Sequence, residues 1–408
     1  MRPGEVRDLL RLTPPRRRDV LEHCRTIADV RDAARRRLPR PVFDYVDGGA
    51  DEELSLAANE AGWREFSFRP RVLADVSSPD LSTTILGAPA ALPFGLAPTG
   101  YTRMIHPDGE LAVGRAAAAA GTPYVLSTMA STSLEDVRAE LSGADLWFQL
   151  YVWKDRGVTR ELVARAWERG YRVLEVAVDT AVSGQRVRDL RNGLTIPPRI
   201  TPATAVRIGM RPRYWTTMVR HPAMTFANFD GLGAESGFTI ESISTQFDPS
   251  VGWDRLAELR ELWPGRLTIK GPVGPDDALT AAAAGVDAVH LSNHGGRQLD
   301  RSVAPVHLIR PVREAVGDRL GILVDSGIRH GADIATALAL GADAAFVGRP
   351  YLYGLAVAQV RGVAHVIDLL RRELTRTMQL LGVTSVAELR GAGPDLISSR
   401  AAAAAASR

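Results

Sequence analysis

The stretch Ala288-Val289-His290-Leu291-Ser292-Asn293-His294-Gly295-Gly296-Arg297-Gln298-Leu299-Asp300 decides the fold. Its first four residues close a short apolar run, Val286–Leu291, that reads as a buried strand. The run then breaks into polar residues and glycines. Such a break delivers side chains to the carboxyl edge of a sheet, where α/β enzymes do chemistry. His294 titrates near neutral pH without help, and Arg297 carries a permanent charge on a planar fork three positions later. A base beside a carboxylate clamp suits acid–base chemistry on a small anion. Taken alone, the pair reads more simply as a loop histidine and a solvated arginine, so the surrounding pattern has to discriminate.

Working outward, apolar runs recur at Leu92–Ala97, Tyr124–Ser127, Leu146–Tyr151, Val173–Val178, Leu267–Lys270, Ala288–Leu291, Ile322–Asp325 and Ala344–Val347. Alanine-rich helical segments separate them, among them Gly109–Ala120, Arg160–Arg169, Asp276–Ala284 and Ala332–Leu340. Gly121, Gly285 and Gly341 follow helical runs as C-caps would. Eight strands alternating with helices predict an α/β fold, a (β/α)8 TIM barrel, with a doubly wound open sheet as the alternative. The strand ends carry Pro98 and Thr99, Ser127, Gln149 and Tyr151, Asp179, Lys270, His294 and Arg297, Asp325 and Gly327, and Gly348 and Arg349. Packing alone does not require polar groups at all eight ends, whereas an active site on the barrel's C-terminal face does.

Composition narrows the class. The chain has 408 residues, with 45% hydrophobic and 24% charged, ordinary for a globular protein and long enough for one large barrel. A net charge of +3, without a lysine- and arginine-rich block interleaved with aromatics, argues against nucleic acid. The single cysteine, Cys24, excludes an internal disulfide framework and a cysteine-rich metal site, and no metal is expected. Residues 1–40 are arginine-rich but lack the apolar core of a signal peptide, and no run reaches membrane-spanning length. The expectation is a cytoplasmic protein. Lysine occurs only at Lys154 and Lys270. Lys154 lies in a charged loop, but Lys270 ends an apolar strand, where a buried ammonium needs an anionic partner. The glycine-bearing turns Asp325–Gly331 and Gly348–Pro350 follow strands seven and eight, where barrels hold phosphate, with Arg329 and Arg349 in reach.

Ser-Asn-His-Gly-Gly-Arg-Gln-Leu-Asp at 292–300, Ile-Lys-Gly at 269–271, Phe-Gln-Leu-Tyr at 148–151, Ala-Pro-Thr at 97–99 and Val-Gly-Arg-Pro at 347–350 together resemble the FMN-dependent α-hydroxy-acid dehydrogenase/oxidase family. The resemblance runs from about Ile27 to Leu389, and is greatest to bacterial quinone- or cytochrome-linked L-lactate dehydrogenases. It implies FMN as cofactor, and oxidation of an L-2-hydroxy acid, with lactate to pyruvate foremost. His294 would take the substrate proton, and Asp179 would hold its imidazole. Arg297 and Arg186 would clamp the carboxylate with help from Tyr45, and Tyr151 would meet the substrate hydroxyl. Lys270 would stabilise the reduced flavin. Pro98, Thr99, Gly100, Ser127, Gln149 and Ser292 would line the flavin, while Asp325, Gly327, Arg329, Gly348 and Arg349 hold its ribityl and phosphate groups. Met129 lies where the family adjusts substrate size.

Several residues depart from the family's pattern. Ala177 and Ala181 stand where Thr and Pro are usual, Gly100 where Ala is common, and Ser326 in place of a glycine of the phosphate turn. Residues 1–40 read as an N-terminal arm, 41–390 as the FMN-binding barrel and 391–408 as a low-complexity tail. Within the barrel, 183–252 is too long for an ordinary connection and reads as a lid inserted after strand four. Its basic and aromatic stretch, including Arg207 and Met210–Arg220, leaves two readings open: a soluble lid, or one that also touches the inner face of the cell membrane. The resemblance also implies a homotetramer. An oxygen-using oxidase for a larger acid such as a mandelate, or a peptide-modifying FMN relative, remains the alternative.

Overall fold

Short aliphatic runs, buried on both faces, form the eight strands of a closed parallel barrel. They are β1 Phe94–Leu96, β2 Tyr124–Ser127, β3 Leu146–Leu150, β4 Val173–Ala177, β5 Arg266–Gly271, β6 Ala288–Leu291, β7 Gly321–Val324 and β8 Ala344–Val347. The computed structural model describes residues 19–193, 211–222, 224–230 and 245–399. Neighbours in sequence are neighbours in the barrel, and β8 closes on β1. Apart from the first residues of β5 and β7, every strand residue is buried, as a parallel sheet covered on both faces requires. The barrel expected from the sequence is the one observed, with strand limits moved by at most two residues.

The helices start and stop for local reasons. Asp155 caps Arg156–Glu168 and Ser133 caps Leu134–Glu140, each accepting from backbone N–H groups of the first turn. Gly121, Gly285 and Gly341 adopt positive φ after their helices, as C-capping glycines do. Below the strands, the hairpin Thr83–Ile85/Ala88–Ala90 inserts Ile85 among Val125, Trp147, Val173 and Ala288, closing the barrel's N-terminal end with apolar packing.

The N-terminal segment does not stand apart from this core. A capping box of Thr26 and Asp29 starts the helix Ile27–Arg37, whose buried face (Ile27, Val30, Ala33, Ala34) belongs to the main core cluster. The buried Asp47 carboxylate accepts from Arg31 Nε at 2.6 Å and from the Tyr353 hydroxyl at 2.8 Å. It therefore ties this helix to the long C-terminal helix Arg349–Leu381, which bends at Ala358 and Gln359. Part of the stretch read as a low-complexity tail from residue 391 carries secondary structure, a short helix Gly393–Leu396 and a strand Ile397–Ser399. Leu396 and Ile397 are buried, and Ile397–Ser399 pairs antiparallel with Phe66–Phe68. The alanines 401–406 lie outside the described residues.

Between β4 and β5 the described chain holds the helices Val187–Asn192 and Pro212–Val219, a short turn, Ala227–Phe229, and the helix Trp253–Leu262 that leads into β5. Buried Asn228 fixes this insertion to the end of β2: its Nδ2 donates to the Ser127 and Thr128 carbonyls and its Oδ1 accepts from Leu134 N. The return strand-like segment places Phe247 opposite Trp153, with Lys154 N donating to Gln246 O at 2.9 Å. Arg207 and Met210 lie outside the described residues.

Candidate active site

One cavity at the carboxyl ends of the strands gathers most of the residues singled out in the sequence. Tyr45, Pro98, Thr99, Gly100, Met129, Tyr151, Arg186, Lys270, His294, Arg297, Asp325, Gly327, Arg329, Gly348 and Arg349 all line it. Asp179, Ser127 and Ser292 do not, but each sits one hydrogen bond behind the wall, and Gln149 sits two behind it. Asp179 meets His294, Ser292 accepts from Lys270, and Ser127 and Gln149 bond each other beside Met129.

His294 occupies the left-handed region (φ 58°), followed by Gly295 and Gly296, also at positive φ. That turn lifts the imidazole off the end of β6. Its Nδ1 lies 3.2 Å from Asp179 Oδ2, and its Nε2 lies 3.3 Å from the Tyr151 hydroxyl. The arrangement fixes one ring nitrogen on a carboxylate and aims the other into the cavity, as general base catalysis requires. Glycine at 296 is obligatory: a Cβ there would stand 2.6 Å from Leu56 N on the adjoining helix Leu54–Trp63.

Arg297 lies over the Tyr45 ring at 4.9 Å and donates through Nη1 to the Tyr45 and Gly48 carbonyls. Burial and the nearby Arg186 guanidinium push its pKa below the ordinary arginine value. Two guanidinium groups facing one cavity are a standing electrostatic cost, which an entering carboxylate relieves. Tyr151 is stacked at 4.7 Å on Phe247, so the return segment of the insertion forms part of the wall. Burial, with the Asp179 charge adding to it, holds the Tyr151 phenol well above its usual range, in its neutral, hydrogen-bonding form.

Lys270, buried at the end of β5, donates to Ser292 Oγ at 2.6 Å and pairs with Asp325. Its pKa is raised despite burial, because the carboxylates around it outweigh the loss of solvation. Asp325 is held well below the usual carboxylate range, with Lys270 and His290 overcoming its own burial. Arg349 is buried beside this end of the cavity, and its guanidinium spans the carbonyls of Val46, Gly48 and Gly295; burial takes its pKa down to about 10. Arg329 bonds the Ile328 carbonyl and pairs with Glu60 at 3.1 Å.

Several residues that build the site carry no local signal for that role. Gln298 Nε2 donates to the carbonyls of Asp179 and Val182 while its Oε1 accepts from Gly184 N, stapling the loop after β4 to the His294 turn. Asn59 and Asn293 exchange amide hydrogen bonds at 2.8 and 2.7 Å, and Asp300 accepts from the backbone at Glu52, Leu54 and Ser55. Asn293 and Asp300 stand inside the quoted motif, but their partners lie more than 200 positions away. Ala177 and Ala181 line a second, largely apolar cavity with Val152, Trp253 and Leu256.

Comparison with known proteins gives the same picture. The family described as FMN-dependent dehydrogenase matches residues 34–397. An L-lactate dehydrogenase of Caulobacter vibrioides is 43% identical over 365 residues, 88% of this chain and 95% of that protein. An L-lactate oxidase of Nostoc sp. is 41% identical, over 87% of this chain and 94% of that one. The crystal structure of a monotopic membrane protein, (S)-mandelate dehydrogenase, superposes with a TM-score of 0.87 at 37% identity, covering 92% of this chain and 99% of that one. With its barrel, its His294 turn and this match across nearly its whole length, the chain belongs to the FMN-dependent dehydrogenase family.

Proposed function

We propose that this chain is an FMN-dependent L-2-hydroxy-acid dehydrogenase that converts L-lactate to pyruvate. The observation that carries this reading is the convergence of Asp179, His294 and Tyr151 with the paired guanidinium groups of Arg186 and Arg297 on one cavity.

The residues present fit FMN. Gln149 Nε2 is buried without a partner among the described residues, a donor waiting for an acceptor at the end of β3. Lys270 supplies a fixed cation, and the long helix beginning at Arg349 turns its N-terminus to the cavity that Arg329 and Arg349 line. Pro98, Thr99, Gly100, Ser127, Gln149, Lys270 and Ser292 would hold the ring system; Asp325, Gly327, Arg329, Gly348 and Arg349 would hold the ribityl chain and phosphate. Arg349 would exchange some of its present carbonyl partners to do so. When bound, FMN supplies the two-electron acceptor that the protein's side chains lack.

In this reading Arg186 and Arg297 take the substrate carboxylate, with Tyr45 beneath. Tyr151 donates to the substrate oxygen. His294 removes one proton from the substrate, and Asp179 stabilises the resulting imidazolium, an arrangement worth about 10²–10⁴-fold in such reactions. Met129 and Gly100, in contact with each other, bound the space for the substrate side chain. Lactate is favoured by the Caulobacter and Nostoc relatives. Electrons pass to a membrane quinone or a cytochrome, supported by the monotopic membrane protein of similar structure. We take 183–252 as the lid of a barrel spanning 41–390, and a homotetramer as the assembly.

The test is His294→Ala. The variant is expected to retain FMN, with its flavin absorbance intact, and to lose the rate of flavin reduction by L-lactate by about 10³-fold. Reduction at the parental rate would remove His294 from the chemistry.

A further inference from the structure

Two ionisable residues inside the barrel have no part in the chemistry above. Glu175 on β4 and His290 on β6 are both fully buried, and Glu175 Oε2 lies 2.6 Å from His290 Nδ1. Glu175 shares its strand face with Val173, and His290 shares its face with Ala288; Val173 and Ala288 pack in the apolar cluster at the barrel's centre. The His290 ring stands 4.9 Å from Phe346 of that cluster. Branched apolar side chains usually fill this layer, and an ion pair placed there is costly to desolvate.

The pair is not isolated. His290 Nε2 lies 3.4 Å from Asp325 Oδ2, and the same carboxylate oxygen pairs with Lys270. Leading inward from the cavity, the order is ammonium, carboxylate, imidazole, carboxylate. Lys270 and Asp325 line the cavity, whereas His290 and Glu175 lie beneath them. The position between two carboxylates determines which form of the ring fits. A neutral imidazole that gives its one N–H to Glu175 turns a lone pair toward Asp325. An imidazolium presents N–H to Glu175 and positive charge to Asp325, whose Oδ2 stands 3.4 Å from Nε2 without a hydrogen bond.

We propose that Glu175 and His290 are positioning residues for Lys270. Glu175 holds His290 as an imidazolium, and the imidazolium draws on Asp325, so that Asp325 does not fully neutralise Lys270 toward the cavity. The positive end of the buried pair lies nearer the cavity. Its removal therefore disfavours negative charge on the flavin that Lys270 would meet.

Two measurements test this without any substrate, so a failure to oxidise lactate bears on the function and not on this assignment. The first is ¹⁵N NMR of the histidine rings in flavin-free and FMN-loaded protein, with His290 assigned by its loss in His290→Leu. Both His290 ring nitrogens are expected to be protonated in the parent; a neutral tautomer would overturn the proposal. The second is the reduction potential of FMN in the double variant Glu175→Leu/His290→Leu, by dye-coupled titration. Replacing a buried ion pair by apolar side chains of similar volume commonly preserves stability. The equilibrium constant for flavin reduction is expected to fall by roughly tenfold. An unchanged constant would show that the pair is structural only. Should the double variant not fold, the protonation state in the parent decides alone.

Discussion

Ser326 shows how much one side chain can couple. It adopts φ 73°, a left-handed conformation natural to the glycine that the family's turn usually carries. In exchange for that strain its hydroxyl donates to Asp325 at 2.7 Å and accepts from Gly295 N at 3.1 Å. The Lys270 partner and the His294 turn are thus joined through one oxygen. Ser326→Ala keeps the strain and loses the bonds, whereas Ser326→Gly loses the bonds but releases the strain. Urea unfolding should show the alanine variant less stable than the parent by about 1–3 kcal/mol and the glycine variant less affected. Equal stability of the two variants would mean that the backbone at 326 is unstrained. Next to it, Gly327 permits an approach that no Cβ could make, since one would lie 2.2 Å from Asn59 O.

At the scale of elements, the strands were legible because burial on both faces writes each of them as an unbroken apolar run, and the helix ends because glycine follows them. The candidate site was legible wherever its residues sit at strand ends, as His294, Lys270 and Asp325 do. It was not legible where a distant partner decides the role. Asn59 lies in an ordinary helical stretch, and only the closed barrel brings it to Asn293. Likewise His290 reads as one polar position in a strand until Glu175 faces it across the barrel. One junction of elements titrates. His330 precedes the helix Gly331–Ala339, and its pKa is raised, chiefly by its bond to Glu373 of the long C-terminal helix. A group with a raised folded pKa stabilises fully below its unfolded value near 6.5, and that stability is lost as pH rises through the folded pKa. Glu373→Gln keeps an acceptor for Gly331 N but removes the charge. Melting temperatures are therefore expected to fall less for this variant than for the parent between pH 6 and 8. Parallel curves would show that the ion pair, half-exposed at His330, contributes nothing.

At the scale of the whole molecule, the insertion after β4 presents its own surface. No helix among the described residues is long and apolar enough to cross a membrane. The helix Pro212–Val219 does present exposed Arg213 and Val219, with Arg220 following, a basic and apolar edge of the kind that lies on anionic lipid. Flotation with anionic vesicles should carry the full chain upward and leave a chain lacking residues 205–225 behind, with the difference shrinking in high salt. Equal partitioning of both chains would mean that this segment is a soluble lid only. Purified protein should show a flavin spectrum, and anaerobic L-lactate should bleach it while D-lactate does not. A bound flavin indifferent to L-lactate would contradict the substrate, and protein that takes up no FMN on reconstitution would contradict the reading of the cavity itself.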